Sequence, residues 1–324
     1  MKYFITGCTG FIGTHLCRYL INHGHIVYGL VRNKGKIASD IIDKLNVVEG
    51  DLSIFENKHL VLPKVDIIIH LAGVVTAKND DEYEKINYTA VENFINLVKR
   101  QNWAPKRFIF SSSLAVMGPN IRNEKFNELD MPAPIDSYGL AKLHAEEYLF
   151  KQKIPTTSFR PSLVFGPGDP ATLTLFKMAK SACSVLPYGK PQRLSYIYID
   201  DLVYAIYLMS LDHSEENKIF FISSEDVITN HEIMKEIASA MGKKIKILFL
   251  PKFLIKMAMY LSVAYSIIMR RPNKLDKKQF AQMTAPAFVC TAKHFSTEFS
   301  WSASTKFKDA ICKSAQGYKN LNLL

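Results

Sequence analysis

The 324-residue sequence predicts an α/β protein in which a doubly wound parallel sheet carries helices on both faces. A short apolar run at residues 2–6 leads into a glycine-rich turn and then into a helical pattern. Further apolar runs alternate with helical segments through the first half of the chain. Such alternation is typical of a parallel sheet, because each crossover helix returns the chain to a new strand. A content of 48% hydrophobic and 22% charged residues is ordinary for a globular protein.

The glycine-rich turn is Gly7–Gly13, with the sequence GCTGFIG. A strand, such a turn and a helix in this order form the fingerprint of a dinucleotide site. Gly7 would permit the tight turn, Gly10 would let a pyrophosphate approach the backbone, and Gly13 would let the helix pack closely on the strand. The N-terminus of the helix would add the positive end of its dipole. We therefore expect a nucleotide cofactor at this turn.

The second strand, Ile26–Val31, ends in Arg32 rather than in an acidic residue. An acid at this position binds the adenosine ribose hydroxyls of NAD, whereas a base can accept the 2′-phosphate of NADP. A solvated arginine at the end of a strand is the alternative interpretation. The sequence thus predicts NAD(P) as the cofactor and favours NADP(H).

Later strands and a long helix continue the alternation. They are predicted at Asn46–Val48, Asp66–His70 and Arg107–Phe110 for the strands, and at Asp81–Arg100 for the helix. Residues 1–159 are expected to form the cofactor-binding domain, and residues 160–324 a smaller substrate-binding domain. Part of 195–225, beginning with a strand at Ser195–Ile199, should return to the main sheet.

Tyr138 and Lys142 stand four residues apart in the segment YGLAK, 25 residues beyond the last serine of Ser111–Ser113. Residues with this spacing share one face of a helix, so the ammonium can lie near the phenol. An unperturbed tyrosine has a pKa near ~10, which is too high for a general base at neutral pH. A neighbouring cation lowers that pKa and makes proton exchange with a substrate hydroxyl or carbonyl feasible.

Further motifs follow in order along the chain. They are GDL at 50–52, HLAG at 70–73, SSSLAVMG at 111–118, RPSLVFGPGD at 160–169 and YIDDL at 198–202. Together with the glycine turn and YGLAK, they resemble the extended short-chain dehydrogenase/reductase superfamily, also called the NAD-dependent epimerase/dehydratase family. The resemblance covers nearly the whole chain and implies a Rossmann fold. It is nearest to the branch of the 3β-hydroxysteroid dehydrogenases and dihydroflavonol reductases.

The resemblance also implies roles for individual residues. It makes Tyr138 the catalytic acid/base, and Lys142 both its pKa-lowering partner and a ligand of the nicotinamide ribose. Ser113 looks like the donor that polarises the substrate oxygen, with Ser112 as the alternative. Asn87 resembles a helix position near the active site, although a buried structural role is equally consistent. No metal ligand is implied. The residues implied at the cofactor are Thr6, Gly7, Gly10, Phe11, Ile12, Gly13, Arg32, Asp51, Leu52, Leu71, Ala72, Gly73, Tyr138, Lys142, Pro161 and Leu163.

Three function classes remain open for a small-molecule substrate. They are an oxidoreductase acting on a ketone or secondary alcohol, a nucleotide-sugar epimerase, and a non-catalytic cofactor-binding protein. The segment at 160–169 is more like the reductase branch, because epimerases more often show RxFNVYGP there. A complete set of serine, tyrosine and lysine argues against a non-catalytic protein. Dehydratases normally carry an acid beside the serine position, whereas Leu114 and Ala115 follow Ser113 here, so dehydration is disfavoured.

The net charge of +11 has most of its surplus in the basic segment 243–278, which contains one acid, Asp276. Its ten bases are Lys243, Lys244, Lys246, Lys252, Lys256, Arg270, Arg271, Lys274, Lys277 and Lys278. The rest of the chain is nearly balanced, which argues against nucleic-acid binding. Leu248–Met269 is almost entirely apolar, and a transmembrane span there is disfavoured. Buried helices are one interpretation, and a peripheral contact with an anionic membrane is the other.

The cysteine pattern and the start of the first strand predict where the protein is located, and the resemblance predicts how it assembles. The five cysteines are scattered without disulfide or zinc spacing, and the first strand begins at Lys2, which leaves no room for a signal peptide. A cytoplasmic protein is therefore expected, with membrane association as an open alternative. Helices near 81–100 and 138–152 form dimer interfaces in many members of the superfamily, so the resemblance implies a homodimer.

Overall fold

The computed structural model describes residues 1–121, 124–180, 183–269 and 277–324. Within them, seven strands form the main sheet: β1 (Lys2–Thr6), β2 (Ile26–Val31), β3 (Asn46–Glu49), β4 (Ile67–His70), β5 (Arg107–Ser111), β6 (Thr156–Pro161) and β10 (Lys218–Ile222). Their order in the sheet is β10-β6-β5-β4-β1-β2-β3. Every neighbouring pair is parallel. The predicted doubly wound parallel sheet is therefore confirmed.

Helices cover both faces of this sheet and continue into the C-terminal half. In the described ranges they are α1 (Phe11–Asn22), α2 (Asp80–Glu84), α3 (Ala90–Lys99), α4 (Ser137–Phe150), α5 (Pro170–Lys180), α6 (Ile199–Ser210), α7 (Asn230–Ala240), α8 (Lys252–Met269), α9 (Lys277–Thr284), α10 (Lys293–Phe299) and α11 (Phe307–Asn320). A π-helical turn at Lys85–Thr89 joins α2 to α3. The helix predicted at Asp81–Arg100 is thus one helical stretch with a wider turn inside it.

The sheet separates two hydrophobic cores. Strands β4, β5 and β6 are buried along their whole length, as expected at the centre of a sheet that is covered on both faces. Successive side chains of a strand point to opposite faces. Ile69 and Ile109 accordingly pack in the core that includes α1 and α6. Ile68 and Phe108 pack in the other core, with α3 and α4.

The order of the strands reverses between β1 and β4. On one side of β1 the sheet continues through β2 and β3, and on the other through β4, β5, β6 and β10. In open α/β sheets, ligands bind outside the carboxyl ends of the strands at such a switch point. The glycine turn after β1 and the loop after β4 therefore meet where a ligand is expected.

The strand predicted at Ser195–Ile199 is present as β9 (Arg193–Tyr198), but it does not return to the main sheet. It pairs instead with three short strands: β7 (Leu163–Phe165), β11 (Val227–Thr229) and β13 (Ala287–Phe288). The returning strand is β10, which lies beside β6. A strand that lies parallel to its neighbour needs a crossover connection, and the connection from β6 to β10 includes β9 and ends with α6. Because β9 is part of this connection, it can pair outside the main sheet.

The C-terminal half also contains a two-stranded parallel sheet of β8 (Cys183–Pro187) and β12 (Lys246–Leu250), and α8 follows β12. In the part of the chain that the structure describes, no helix is long and apolar enough to span a membrane. The domain boundary at residue 159 and the homodimer stay predictions. Residues 270–276 of the predicted basic segment lie outside the described residues, and four of them are charged: Arg270, Arg271, Lys274 and Asp276.

Candidate active site

The glycine turn lets α1 begin directly against the end of β1. Gly7 has a φ of +74°, which L-residues rarely adopt, and a Cβ there would lie 2.8 Å from the amide nitrogen of Ala72. A Cβ at Gly13 would overlap the carbonyl oxygen of Gly7. The amide of Gly10 donates to the Gly7 carbonyl at 2.9 Å and closes the turn. Because side chains do not fit at Gly7 and Gly13, the backbone itself forms the surface of the turn.

The N-terminus of α1 is open toward a ligand. Gly10 precedes the helix without a side-chain cap, and the first turn carries no acidic residue. The first amides of a helix lack partners within the helix and carry the positive end of its dipole. A phosphate would find N–H donors here without a competing carboxylate. The turn therefore fits the pyrophosphate of a dinucleotide.

A cavity of about 560 Å³, the nucleotide cavity, opens beside this turn. Its wall is formed mainly by the loops after β1, β2, β3 and β4. Seven of the residues predicted at the cofactor line it: Gly7, Gly10, Arg32, Asp51, Leu52, Ala72 and Gly73. Eight polar residues that sequence reasoning missed line it as well: Thr9, Asn33, Lys36, Ser53, Glu56, Lys85, Thr89 and Asn93. Asn33 and Lys36 reach the nucleotide cavity because the chain bends after β2.

The other residues predicted at the cofactor lie outside this wall as the structure describes it. They are Thr6, Phe11, Ile12, Gly13, Leu71, Tyr138, Lys142, Pro161 and Leu163. The hydroxyl of buried Thr6 lies 2.9 Å from Nδ1 of His70 and accepts a hydrogen bond from the amide of Ala72 at 3.2 Å. Thr6 thus supports the loop after β4 and does not face the nucleotide cavity, because its hydroxyl is bonded inside the protein.

Ser113, Tyr138 and Lys142 come together where β5 ends and α4 begins. The side chains of Ser113 and Tyr138 are hydrogen-bonded to each other. Nζ of buried Lys142 donates to the carbonyl oxygen of Ser111 at 2.8 Å. Ser112, the alternative serine, is buried within the protein. The structure therefore places a hydroxyl, a phenol and an amine in the same small region.

Local backbone structure orients the hydroxyls of Ser113 and Tyr138. The Ser113 hydroxyl accepts a hydrogen bond from the amide of Ala115 at 3.1 Å and begins a short 3-10 turn. Asp136 caps α4, since its carboxylate accepts a hydrogen bond from the amide of Gly139 at 2.8 Å. The first turn of α4 holds Tyr138 and is fixed by this cap.

Gly73 joins Lys142 to the nucleotide cavity. It lines the cavity, and a Cβ at Gly73 would lie 3.1 Å from Nζ of Lys142 and 2.6 Å from Oδ1 of Asn87. Asn87 is buried in the π-helical turn, and its side chain accepts from the amide of Val74 and donates to the Val74 carbonyl, both at 3.0 Å. Asn87 therefore holds the loop after β4 close to Lys142.

The predicted lowering of the Tyr138 pKa by Lys142 is wrong for this structure. Burial raises the pKa of Tyr138 to about 12, although the hydrogen bond with Ser113 acts in the opposite direction. Burial also lowers the pKa of Lys142 to about 8, and the charge of Glu146 opposes this change. Surroundings of low dielectric constant disfavour both charged forms, so desolvation outweighs the attraction that the helical spacing predicts.

A buried ion pair, which sequence reasoning missed, supports Lys142 from within the protein. Arg160, on β6, donates from Nε and Nη2 to the carboxylate of Glu146 at 2.9 and 2.6 Å. Both side chains are almost fully buried. Glu146 lies one turn beyond Lys142 on α4, and its charge favours the ammonium form. The four-residue spacing was a signal for Glu146, but nothing local pointed to a partner on β6.

The titratable groups around the site suit proton transfer. Burial, and then the charge of Lys142, lowers the pKa of His70 to about 3, so this imidazole is neutral at physiological pH. Within the described ranges, no cluster of three or more His, Cys, Asp or Glu side chains could hold a metal ion. The other groups at this place that carry an exchangeable proton are the Tyr138 phenol, its hydrogen-bonded partner Ser113 and the Lys142 amine.

The fold, the open helix terminus and the catalytic residues define a nucleotide-dependent enzyme of the extended short-chain dehydrogenase/reductase type. The model of the NAD dependent epimerase/dehydratase family matches residues 3–223, and the chain belongs to this family. The resemblance inferred from the sequence motifs is thereby confirmed.

Three known proteins show the range of the similarity. The UDP-glucose 4-epimerase of Vibrio cholerae is 31% identical over 252 residues, which cover 74% of this chain and 75% of that protein. The ceramide reductase of Caulobacter vibrioides is 27% identical over 271 residues, or 83% and 80% of the two chains. The structure of UDP-glucuronic acid 4-epimerase from Bacillus cereus, in complex with UDP-glucuronic acid and NAD, matches with a TM-score of 0.77 at 19% identity, covering 99% of this chain and 100% of that chain.

Replacing Lys142 by methionine should change how stability depends on pH. Below pH 8 the folded and unfolded chains both hold the Lys142 proton, whereas between pH 8 and the unfolded pKa near ~10.4 only the unfolded chain holds it. Raising the pH through this window therefore favours the folded state of the wild type, by about 2 kcal/mol between pH 7 and pH 10. This gain should be absent from Lys142→Met. Urea unfolding of both proteins at the two pH values measures the difference.

The control is Lys151→Met, which removes an exposed lysine just beyond the end of α4. It should keep the pH dependence of the wild type, because an exposed ammonium is not desolvated on folding. If Lys142→Met responds to pH as the wild type does, the lowered pKa of Lys142 is contradicted.

Proposed function

We propose that the protein is an NAD(P)-dependent oxidoreductase that transfers hydride between nicotinamide and the carbon of a ketone or secondary alcohol. The observation that carries this proposal is the hydrogen-bonded pair of Ser113 and Tyr138 beside Lys142, which Gly73 joins to the nucleotide cavity. A carbonyl that accepts hydride needs a donor to polarise its oxygen and an acid to protonate it. The three side chains meet both needs.

Each of these side chains has a distinct task in the proposed reaction. The bound cofactor supplies or accepts the hydride. Ser113 donates a hydrogen bond to the substrate oxygen and stabilises the negative charge that develops there. Tyr138 gives its phenolic proton to that oxygen in reduction and takes a proton back in oxidation. Lys142 binds the ribose hydroxyls and stabilises the phenolate that Tyr138 leaves behind.

The raised pKa of Tyr138 suits its phenol to act as the acid when the substrate is reduced. A phenol with a pKa of about 12 keeps its proton at neutral pH and is ready to act as an acid. Oxidation requires the same phenol to lose its proton first, at a free-energy cost that the charge of Lys142 must offset. With a pKa of about 8, Lys142 is mostly an ammonium at neutral pH and can serve in this way.

A nucleotide-sugar epimerase is the second candidate function. The similarity to the UDP-glucose 4-epimerase of Vibrio cholerae favours it. The same three side chains would serve, because an epimerase oxidises a carbon and then reduces it again. The segment at 160–169 and the similarity to a ceramide reductase favour the oxidoreductase instead. Dehydration is disfavoured, since Leu114 and Ala115 provide no acid beside Ser113.

NADP(H) is the proposed form of the cofactor. Arg32 and Lys36 line the nucleotide cavity after β2, where a base can accept a 2′-phosphate. The carboxylate of Asp51 accepts hydrogen bonds from the hydroxyl and the amide of Ser53 at 2.6 and 2.9 Å. These bonds lower the pKa of Asp51, and Arg32 adds to the effect. The Asp51 carboxylate therefore stays ionised, and the charges of Arg32 and Lys36 must outweigh its repulsion of a 2′-phosphate.

The stoichiometry of the cofactor should separate the two candidate functions. With a ketone substrate, an oxidoreductase consumes one NAD(P)H for each product molecule, and the absorbance of the reduced cofactor falls. An epimerase regenerates its cofactor, so a sugar nucleotide would be converted without net absorbance change. We expect net consumption with a ketone, and epimerisation without consumption would replace the first candidate by the second.

Replacing Tyr138 by phenylalanine should abolish turnover and leave cofactor binding intact. The substitution removes the only proton that the phenol can give, and general acid–base catalysis of this kind contributes about 10²- to 10⁴-fold. Steady-state rates and fluorescence titration with NADPH measure the two effects separately. The control, Tyr148→Phe, changes a tyrosine of the same helix that donates to Asn96 at 3.2 Å. It should keep its activity, and an active Tyr138→Phe protein would refute the assigned acid.

Replacing Arg32 by alanine should weaken NADPH binding about tenfold and change NADH binding little. The expected loss corresponds to about 1.4 kcal/mol for one charge-assisted contact with the 2′-phosphate. Isothermal titration with both cofactors measures it. Lys34→Ala is the control, because Lys34 is an exposed base of the same loop that pairs with Glu49. Equal affinities of the wild type for NADPH and NADH would contradict the preference.

A further inference from the structure

Helix α8 has two apolar faces, of which the protein covers one. Ile255 and Met259 are buried on the inner side. Phe253, Met257, Tyr260 and Leu261 are between 53% and 68% exposed. A surface helix of a globular protein normally has a single apolar face directed at the core. The outer face of α8 therefore needs an explanation other than packing within the chain.

The outer side chains lie on one stripe of the helix. Positions 253, 257, 260 and 261 follow the three- and four-residue steps that place helical side chains on the same face. Leu248 and Phe249, on β12 just before the helix, are also exposed. Large apolar side chains are thus exposed on two consecutive elements rather than scattered singly, and a contiguous patch of this kind marks an interaction surface.

The charged residues that flank this stripe in the sequence are all positive. Five exposed lysines belong to β12, α8 and the residues before them: Lys243, Lys244, Lys246, Lys252 and Lys256. The sequence contains no acidic residue from 243 to 269. Lys256 lies on α8 itself, one helical turn from Phe253 and Tyr260. An apolar stripe with lysines beside it complements a surface that offers negative charge above hydrocarbon.

The charge distribution also argues against a second copy of the chain on this face. In a two-fold dimer the same patch meets itself, so these lysines would approach the lysines of the partner. Like charges brought together in an interface disfavour the complex. Anionic lipid headgroups, in contrast, attract each lysine near the membrane surface.

The outer stripe is connected to α4, the helix that carries Tyr138 and Lys142. Helix α9 packs on α8, and Nζ of Lys252 donates to the carbonyl oxygen of Thr284, the last residue of α9, at 3.1 Å. Nε2 of Gln282, also on α9, donates to Oδ2 of Asp136 at 2.8 Å. Asp136 is the residue that caps α4 just before Tyr138. A surface that binds α8 would therefore be connected through α9 to the N-terminus of α4.

We propose that the outer face of α8, formed by Phe253, Met257, Tyr260 and Leu261 with Lys256 beside them, binds the surface of membranes that contain anionic lipids. The apolar side chains enter the boundary between headgroups and acyl chains, and Lys256 contacts the lipid phosphates. The helix lies along the membrane surface in this arrangement and does not cross it.

Flotation of the full-length protein with lipid vesicles tests the proposal. One set of vesicles contains phosphatidylcholine alone, and the other contains phosphatidylcholine with phosphatidylglycerol. We expect the wild type to float with the anionic vesicles only, and to float less at high salt because ions screen the lysines. Phe253→Ser/Leu261→Ser, and separately Lys256→Glu, should each weaken the apparent affinity about tenfold or more.

Matched controls distinguish this surface from exposed residues in general. Phe150→Ser removes an exposed phenylalanine at the end of α4, and Lys308→Glu reverses an exposed lysine on α11. Both should bind anionic vesicles as the wild type does. Lys256→Glu changes only an exposed charge, so it tests the proposal even if the double variant fails to fold.

Three outcomes would overturn the proposal. The wild type could fail to float with anionic vesicles, or the α8 variants could float as well as the controls. Alternatively, light scattering could show a wild-type dimer that Phe253→Ser/Leu261→Ser dissociates without loss of vesicle binding. In that case the outer face of α8 would be an interface between copies of the chain.

Discussion

The contact between the glycine turn and the loop after β4 is the constraint on which the site depends. A Cβ at Gly7 would meet the amide of Ala72, and one at Gly13 would overlap the carbonyl of Gly7. Because these side chains are absent, α1 begins against the sheet with its N-terminal amides open, and the loops after β2, β3 and β4 enclose one cavity. The reversal of strand order places this contact at the carboxyl edge of the sheet, where it can serve a ligand.

Buried polar contacts extend this constraint to the catalytic helix. Asn87 holds the backbone of Val74, and Gly73 beside it lies against Lys142. The ammonium is bonded to the carbonyl of Ser111 and lies 4.7 Å from the ring centre of Phe110. A buried ammonium is costly to desolvate, so its retention here points to a role in positioning and charge that an apolar side chain could not fill.

Helix α4 is held at both ends by different parts of the fold. Near its C-terminal end, Glu146 pairs with Arg160 on β6 of the main sheet. At its N-terminus, Asp136 caps the helix and accepts a hydrogen bond from Gln282 on α9. The phenol of Tyr138 thus lies where the sheet meets the C-terminal elements.

Local sequence was sufficient for the parallel sheet, the glycine turn and the spacing of Tyr138 and Lys142, because periodicity and short-range geometry specify them. The predicted β1 and β2 agree with the structure at both ends, and β3, β4 and β5 each differ by one residue at one end. Long-range packing decided the rest. Because of this packing, β10 rather than β9 is the strand that returns to the main sheet, and Glu146 pairs with Arg160. The hydroxyl of Thr6 points into the protein for the same reason. Packing also raises the Tyr138 pKa, which was expected to fall. Desolvation depends on every segment that excludes water, whereas the spacing along a helix indicates only the nearest charge.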